Sequence, residues 1–170
     1  MIDKGQLMHV PNELQHSFFY PDPKFFWPDS ESEIYFFDEF LFFLEKKGEM
    51  PWAYPEFHLP LLKDQWNQLD KRLQSMFSIR DRGVKPIMVQ AICTFFKYLF
   101  WSNGQPVSLN KLDSCLGSLK IKPVNVEERL CFLMESTSYF HAYKQLSELF
   151  NEQMKQTAKH FAMKKILKKL

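Results

Sequence analysis

A chain of 170 residues is the size of one ordinary domain and buries roughly 70% of its unfolded surface, so it needs neither disulfides nor metals to fold. Its three cysteines, Cys93, Cys115 and Cys131, lie far apart inside apolar runs with no Cys-x-x-Cys spacing, which argues against a zinc or disulfide framework and fits buried, reduced thiols. The formal charge of +2 excludes neither acidic nor basic partners, because it is unevenly spread: up to Pro60 there are eleven acids against four bases, a net of −7, whereas after Gln153 there are six lysines and no acid. Oppositely charged ends either meet in the fold or face different partners.

The N-terminus lacks a basic segment followed by an apolar core, so no signal peptide is expected. The longest apolar run, Pro86 to Ser102, falls short of the roughly 18 to 20 residues of a membrane span and is interrupted by Lys97. A cytoplasmic protein without a transmembrane segment is the expectation.

Taken in order, the chain opens on Pro11 to Pro28, with four prolines in eighteen residues and Phe18, Phe19, Tyr20, Phe25, Phe26 and Trp27 between them. Proline denies the backbone helix continuation and a ladder N–H, while six aromatics are too apolar for a solvated tail. An extended arm over residues 1–30 is expected, its aromatics packed on the protein's own core or on a partner. Ser30 with Glu33 reads as a capping box for a helix from Ser32 to Lys47, closed by Lys46-Lys47-Gly48. Its apolar face of Ile34, Phe37, Leu41 and Leu44, widened by Phe36, Phe40 and Phe43, is too wide for a surface helix.

Gly48 to Pro60 reads as a connector, with prolines at 51, 55 and 60. From Leu61 to Phe77, Leu62, Trp66, Leu69, Leu73 and Met76 alternate by four and three, which predicts a one-sided amphipathic helix. Val84 to Asn103 is apolar on every face apart from Lys97, the pattern of a helix in the middle of a bundle. Pro86 suits its first turn and Asn103-Gly104 its stop. A short helical piece follows, with Leu109, Leu112, Leu116 and Leu119 inward and Gly117 limiting its length. Asn125 as N-cap with Glu127 and Glu128 behind it starts a helix to Glu135, and would leave Arg129 free to pair with an acid of the N-terminal third. Ser136-Thr137-Ser138 breaks that helix. A long one runs from Tyr139 towards the C-terminus, with Phe140, Tyr143, Leu146, Phe150 and Met154 on one stripe. No strand pattern is evident. The expected fold is all-α, a single-domain bundle of about six helices around the central apolar one.

Catalytic and cofactor signatures are missing. The five histidines form no His-x-x-x-His pair, the glycines form no phosphate-binding loop, and no Ser or Cys sits in a nucleophile elbow. Glu127-Glu128 reads as first-turn dipole complement. The feature with functional force is the basic end over residues 155–170: Lys155, Lys159, Lys164, Lys165, Lys168 and Lys169, interleaved with Phe161, Met163, Ile166 and Leu167. Such a segment suits nucleic-acid phosphates, an anionic membrane surface or an acidic protein patch. The competing reading is a solvated helix end paired with the acidic N-terminal third.

Phe100 to Asn103, the run from Leu119 to Leu130 containing Lys122-Pro123-Val124-Asn125, and Tyr139-Phe140-His141 with Gln145 to Phe150 resemble the YpoC-like family, small uncharacterised proteins of Gram-positive bacteria. The resemblance covers the C-terminal half and implies a cytoplasmic bacterial protein. It carries no reaction or catalytic residues. Two classes of function stand side by side: a non-enzymatic helical adaptor with a protein partner, and an enzyme whose site would gather Trp101, Asn103, Asn125, Arg129 and His141. A shared, water-accessible pocket for those five would favour the enzyme.

Overall fold

The computed structural model describes residues 2–45 and 48–170. Six α-helices are described: α1 (Phe37–Phe43), α2 (Pro55–Ser78), α3 (Val84–Ser102), α4 (Leu112–Gly117), α5 (Val126–Glu135) and α6 (Phe140–Lys168). Two three-residue strands, β1 (Leu7–His9) and β2 (Lys24–Phe26), pair antiparallel with Leu7 opposite Phe26. The fold is all-α apart from this ribbon.

The centre is α3. Phe95, Phe96 and Leu99 are wholly buried and Phe100 nearly so, since α2 packs along one side and α6 along another. Gly104 at φ +70 receives the chain as it leaves the helix. Its N–H donates to Trp101 O at 2.9 Å and the next N–H, of Gln105, to Phe100 O at 3.1 Å, the paired closure that a left-handed glycine permits. Ring contacts knit the other helices to this core: Phe150 of α6 stacks on Trp66 of α2 at 4.2 Å and meets Phe95 edge-on at 5.0 Å.

The N-terminal arm turns inward. Phe19 sits edge-on to Phe36 at 4.9 Å and to Phe96 at 5.7 Å, and Trp27 packs on Phe40 at 5.7 Å. Only Phe26 among the six arm aromatics is exposed. The ribbon itself arises because the prolines leave just enough paired backbone around a long loop: Val10 N–H donates to Pro23 O at 2.8 Å and Trp27 N–H to Gln6 O at 2.8 Å.

Several expected boundaries move. The helix expected from Ser32 to Lys47 is a 3-10 turn over Glu31–Glu33 followed by α1; its expected stop at Lys46-Lys47 lies outside the described residues. Phe36 breaks it by taking a left-handed conformation, φ 56, which costs a non-glycine residue about 1–2 kcal/mol. Full burial of its ring against Phe19 and Phe96 offsets that cost. Ser30 caps the 3-10 turn through Ser32 N–H at 3.3 Å, not through Glu33. The connector ending at Pro60 is shorter than expected because α2 starts at Pro55, in the first position that tolerates proline. Pro60 then lies within the helix, and the burial of Leu59, Leu62 and Trp66 on either side holds it there.

Asn125 precedes α5 but caps nothing with its side chain; its backbone is left-handed, φ 55. Asparagine tolerates that region better than most residues, so the same residue type serves the boundary through its backbone. On α6, Phe140 is exposed and not part of the buried stripe. Of the cysteines, Cys93 is buried while Cys115 is half-buried and Cys131 exposed.

Candidate functional site

The basic end of the chain grows out of α6. In the body of the protein this helix buries Leu146, Phe150, Gln153 and Thr157, which recur on one line at about 100° per residue. Thr157 is its last buried residue, and its hydroxyl lies 3.2 Å from Ser102 Oγ at the end of α3. From Ala162 to Leu170 every residue is exposed, although the helix continues to Lys168. All six lysines are exposed. The ion pairs found among the described residues, Lys4–Asp29, Lys122–Glu127 and Arg129–Glu152, involve none of them. Lysines in the last turn also complement the helix dipole.

Of the residues of the enzyme reading, Trp101 and Asn103 lie at the end of α3, and Asn125 and Arg129 at the start of α5, where Arg129 N–H donates to Asn125 O at 3.1 Å. Trp101 is buried and donates from Nε1 to Glu39 Oε1 at 2.6 Å. Asn103 is a clamp: its Nδ2 donates to Leu99 O and Ile121 O at 2.8 Å each, and its Oδ1 accepts from Lys120 N–H at 3.0 Å and Ile121 N–H at 2.8 Å. These four bonds use the bonding capacity of its side chain. Arg129 grips Glu152 of α6 with two bonds, 3.0 and 2.9 Å, and donates to Val124 O at 3.1 Å. Its partner is therefore on α6 and not in the N-terminal third. Asn125 sets the left-handed turn before α5, and His141 is exposed in the first turn of α6.

Among the described residues, two cavities bear on these readings. One, of about 570 Å³, opens where the end of α3 meets the start of α2 and the far part of α6. Asn103 lines it, with Glu56, Lys120, His160 and Lys164, whereas Trp101, Asn125, Arg129 and His141 do not. The other, of about 680 Å³, lies between the 3-10 turn before α1, α2 and α3 and carries both charge signs: Glu31, Glu33 and Asp38 against Arg72 and Lys97. Burial pushes the Asp38 carboxyl above its usual range against the opposing pull of Lys97, and raises the Cys93 thiol to about 11. A thiol so placed stays protonated at neutral pH and is a poor nucleophile.

Glu39 stands out among residues the sequence reading passed over. It is wholly buried; Oε1 accepts from Trp101 Nε1 and, at 3.2 Å, from Val107 N–H, while Oε2 has no partner. Desolvation raises its pKa despite the lowering effect of Lys97 and of its hydrogen bonds. A signal was present in the sequence: an acid one turn after Phe36 and beside Phe40 falls on an apolar helix face. Gln153, also buried, donates to Ile121 O at 3.0 Å and leaves Oε1 unpartnered.

Among the described residues no helix is long and apolar enough to cross a membrane, and no group of three His, Cys, Asp or Glu could hold a metal ion. No solved structure matches the chain. A curated protein of Bacillus subtilis (strain 168), "Uncharacterized protein YpoC", is 32% identical over 126 residues, 73% of this chain and 77% of that protein. The model of the YpoC-like protein family matches residues 56–165. That span runs from the first turn of α2 to the basic part of α6, and with the identity across most of both proteins it places the chain in the YpoC-like family.

Proposed function

We propose that this chain is a non-enzymatic helical adaptor of the cytoplasm, held to a polyanionic or acidic surface by the basic end of α6. The observation that carries the reading is the exposed end of α6 from Ala162 onward, with lysines that pair with no acid among the described residues. Unpaired like charges on a projecting helix create a local field that attracts polyanions and is screened by salt. The separate engagement of Trp101, Asn103 and Arg129 supports an adaptor over an enzyme built on them.

The test is a titration of the intact protein and of a version ending at Phe161 against anionic vesicles, DNA and RNA at low and high salt. Truncation there spares the buried Thr157. Binding that weakens with salt and is lost on truncation supports the proposal. Equal binding by both versions, or none at low salt, overturns it.

A further inference from the structure

We infer, resting on the attachment role just proposed, that the surface is an anionic lipid membrane and that residues 163–170 lie in its interface. Met163, Ile166 and Leu167 fall on one face of α6 and Leu170 continues their i, i+3, i+4, i+7 spacing just past its end, while Lys164, Lys165 and Lys168 fall on the other, followed by Lys169. Among the described residues nothing covers the apolar four; their exposures run from 52% at Met163 to 98% at Leu170.

The apolar stripe is not an overrun of the core stripe. At about 100° per residue, its centre is rotated roughly 120° from the line of Leu146, Phe150, Gln153 and Thr157 that faces the body. Lys164 continues the body-facing side and lines the cavity beside Asn103. A helix that merely extended past its core would carry its apolar residues on the old line or lose them. Here they reappear on a different line, beyond the last buried residue, where no described residue covers them.

Lipid satisfies both faces at once: acyl chains take the stripe, and the flanking lysines extend to headgroup phosphates along their own methylene stems. A nucleic-acid backbone would engage the lysines and leave the stripe in water. A second copy would have to be held by two turns of helix, far below the roughly 1,600 Å² of a stable interface. Net charge complements the choice, with six lysines and no acid after Gln153.

The experiment uses the full chain and two variants, Ile166→Ser with Leu167→Ser, and Lys164, Lys165, Lys168 and Lys169 all changed to Gln. Co-flotation with phosphatidylcholine vesicles, with and without phosphatidylglycerol, is measured beside DNA and RNA binding and sedimentation velocity; circular dichroism confirms folding, which these exposed positions should not disturb. Expected are binding to the phosphatidylglycerol vesicles alone, a loss of about tenfold or more in the serine variant, and loss in the glutamine variant. In a second measurement, Leu167→Trp should shift its emission to the blue on vesicle binding. Equal vesicle binding by the serine variant and wild type, with no emission shift, overturns the interfacial placement while leaving polyanion attachment standing. Nucleic-acid binding that exceeds vesicle binding and ignores the serine substitutions overturns it in favour of DNA or RNA. A wild-type dimer that the serine variant converts to monomer assigns the stripe to a second copy. Absence of binding to every polyanion ends both proposals.

Discussion

Replacing Glu39 with Gln tests the chemistry of the buried carboxyl. Two donors, Trp101 Nε1 and Val107 N–H, converge on Oε1, and Oε2 has no partner. An amide keeps the accepting oxygen and removes the charge. Because burial raises the folded-state pKa above the ordinary glutamate value of 4.5, the folded state binds the proton more tightly than the unfolded state. Stability from this group is then greatest below the unfolded pKa and is lost as pH rises through the folded one, with a limiting slope of about 1.4 kcal/mol per pH unit. Glu39→Gln removes that slope. The stability difference between variant and wild type should grow in the variant's favour from pH 4.5 upward and level off above the folded pKa. Glu39→Leu, by contrast, strands two buried donors at about 1–3 kcal/mol each and should destabilise by about 2–6 kcal/mol at low pH. Urea unfolding of all three proteins at several pH values reads both effects. A Gln variant whose stability parallels that of wild type across this range would refute the raised pKa, and a Leu variant as stable as wild type would refute the acceptor role.

Phe150→Ala removes a ring packed on Trp66, Phe95 and Tyr98 and should cost about 3–5 kcal/mol in urea unfolding; a loss below about 1 kcal/mol would contradict that packing. At Asn125, Gly should be near neutral, while Ala and Ser should each cost about 1 kcal/mol because the site demands a left-handed backbone; a Ser variant as stable as wild type would restore the side-chain cap. Arg129→Met should cost about 1 kcal/mol or less, since Glu152 is 40% exposed, and the loss should shrink in high salt. Asn103→Ala takes its bond from Leu99 O and from the Lys120 and Ile121 N–H groups, while Ile121 O keeps Gln153, and should cost about 2 kcal/mol or more, with faster hydrogen exchange at the Lys120 and Ile121 amides as the local readout.

What could be read from the sequence was whatever one element decides for itself. The all-round apolar pattern of α3 admits one environment, and Asn103-Gly104 one kind of ending, so both are found where expected. The break at Ser136-Thr137-Ser138 is likewise local. What was hidden depends on partners distant in sequence. Phe36 breaks the first helix because Phe19 and Phe96 hold its ring, and no local propensity announces that. Pro60 reads as a helix end until the burial of Leu59 and Trp66 is known. Arg129 chose Glu152, 23 residues away on α6, over any acid of the N-terminal third. The tail was legible as basic, but its second apolar face emerged only once Thr157 was known to be the last buried residue of α6.

The same distinction explains why the polar residues of the interior look like a site without being gathered into one. The chain between α3 and α5 includes a stretch, Gln105 to Asn110, without regular structure, and a second after α4, yet Val107, Leu109, Leu119 and Ile121 are buried. Irregular backbone taken into a core needs partners for its N–H and C=O groups. Glu39 of α1 supplies one at Val107, Asn103 supplies three at Lys120 and Ile121, Gln153 of α6 supplies another at Ile121 O, and Glu13 O of the arm accepts from Leu109 N–H at 2.7 Å. Four separate parts of the chain therefore fasten these two stretches. Side chains committed in this way are fixed by the backbone they hold, and a substrate would have to displace those bonds to reach them. Among the described residues the lysines and the apolar face beyond Thr157 make no such bonds, and for that reason the attachment proposed above is placed at the end of α6.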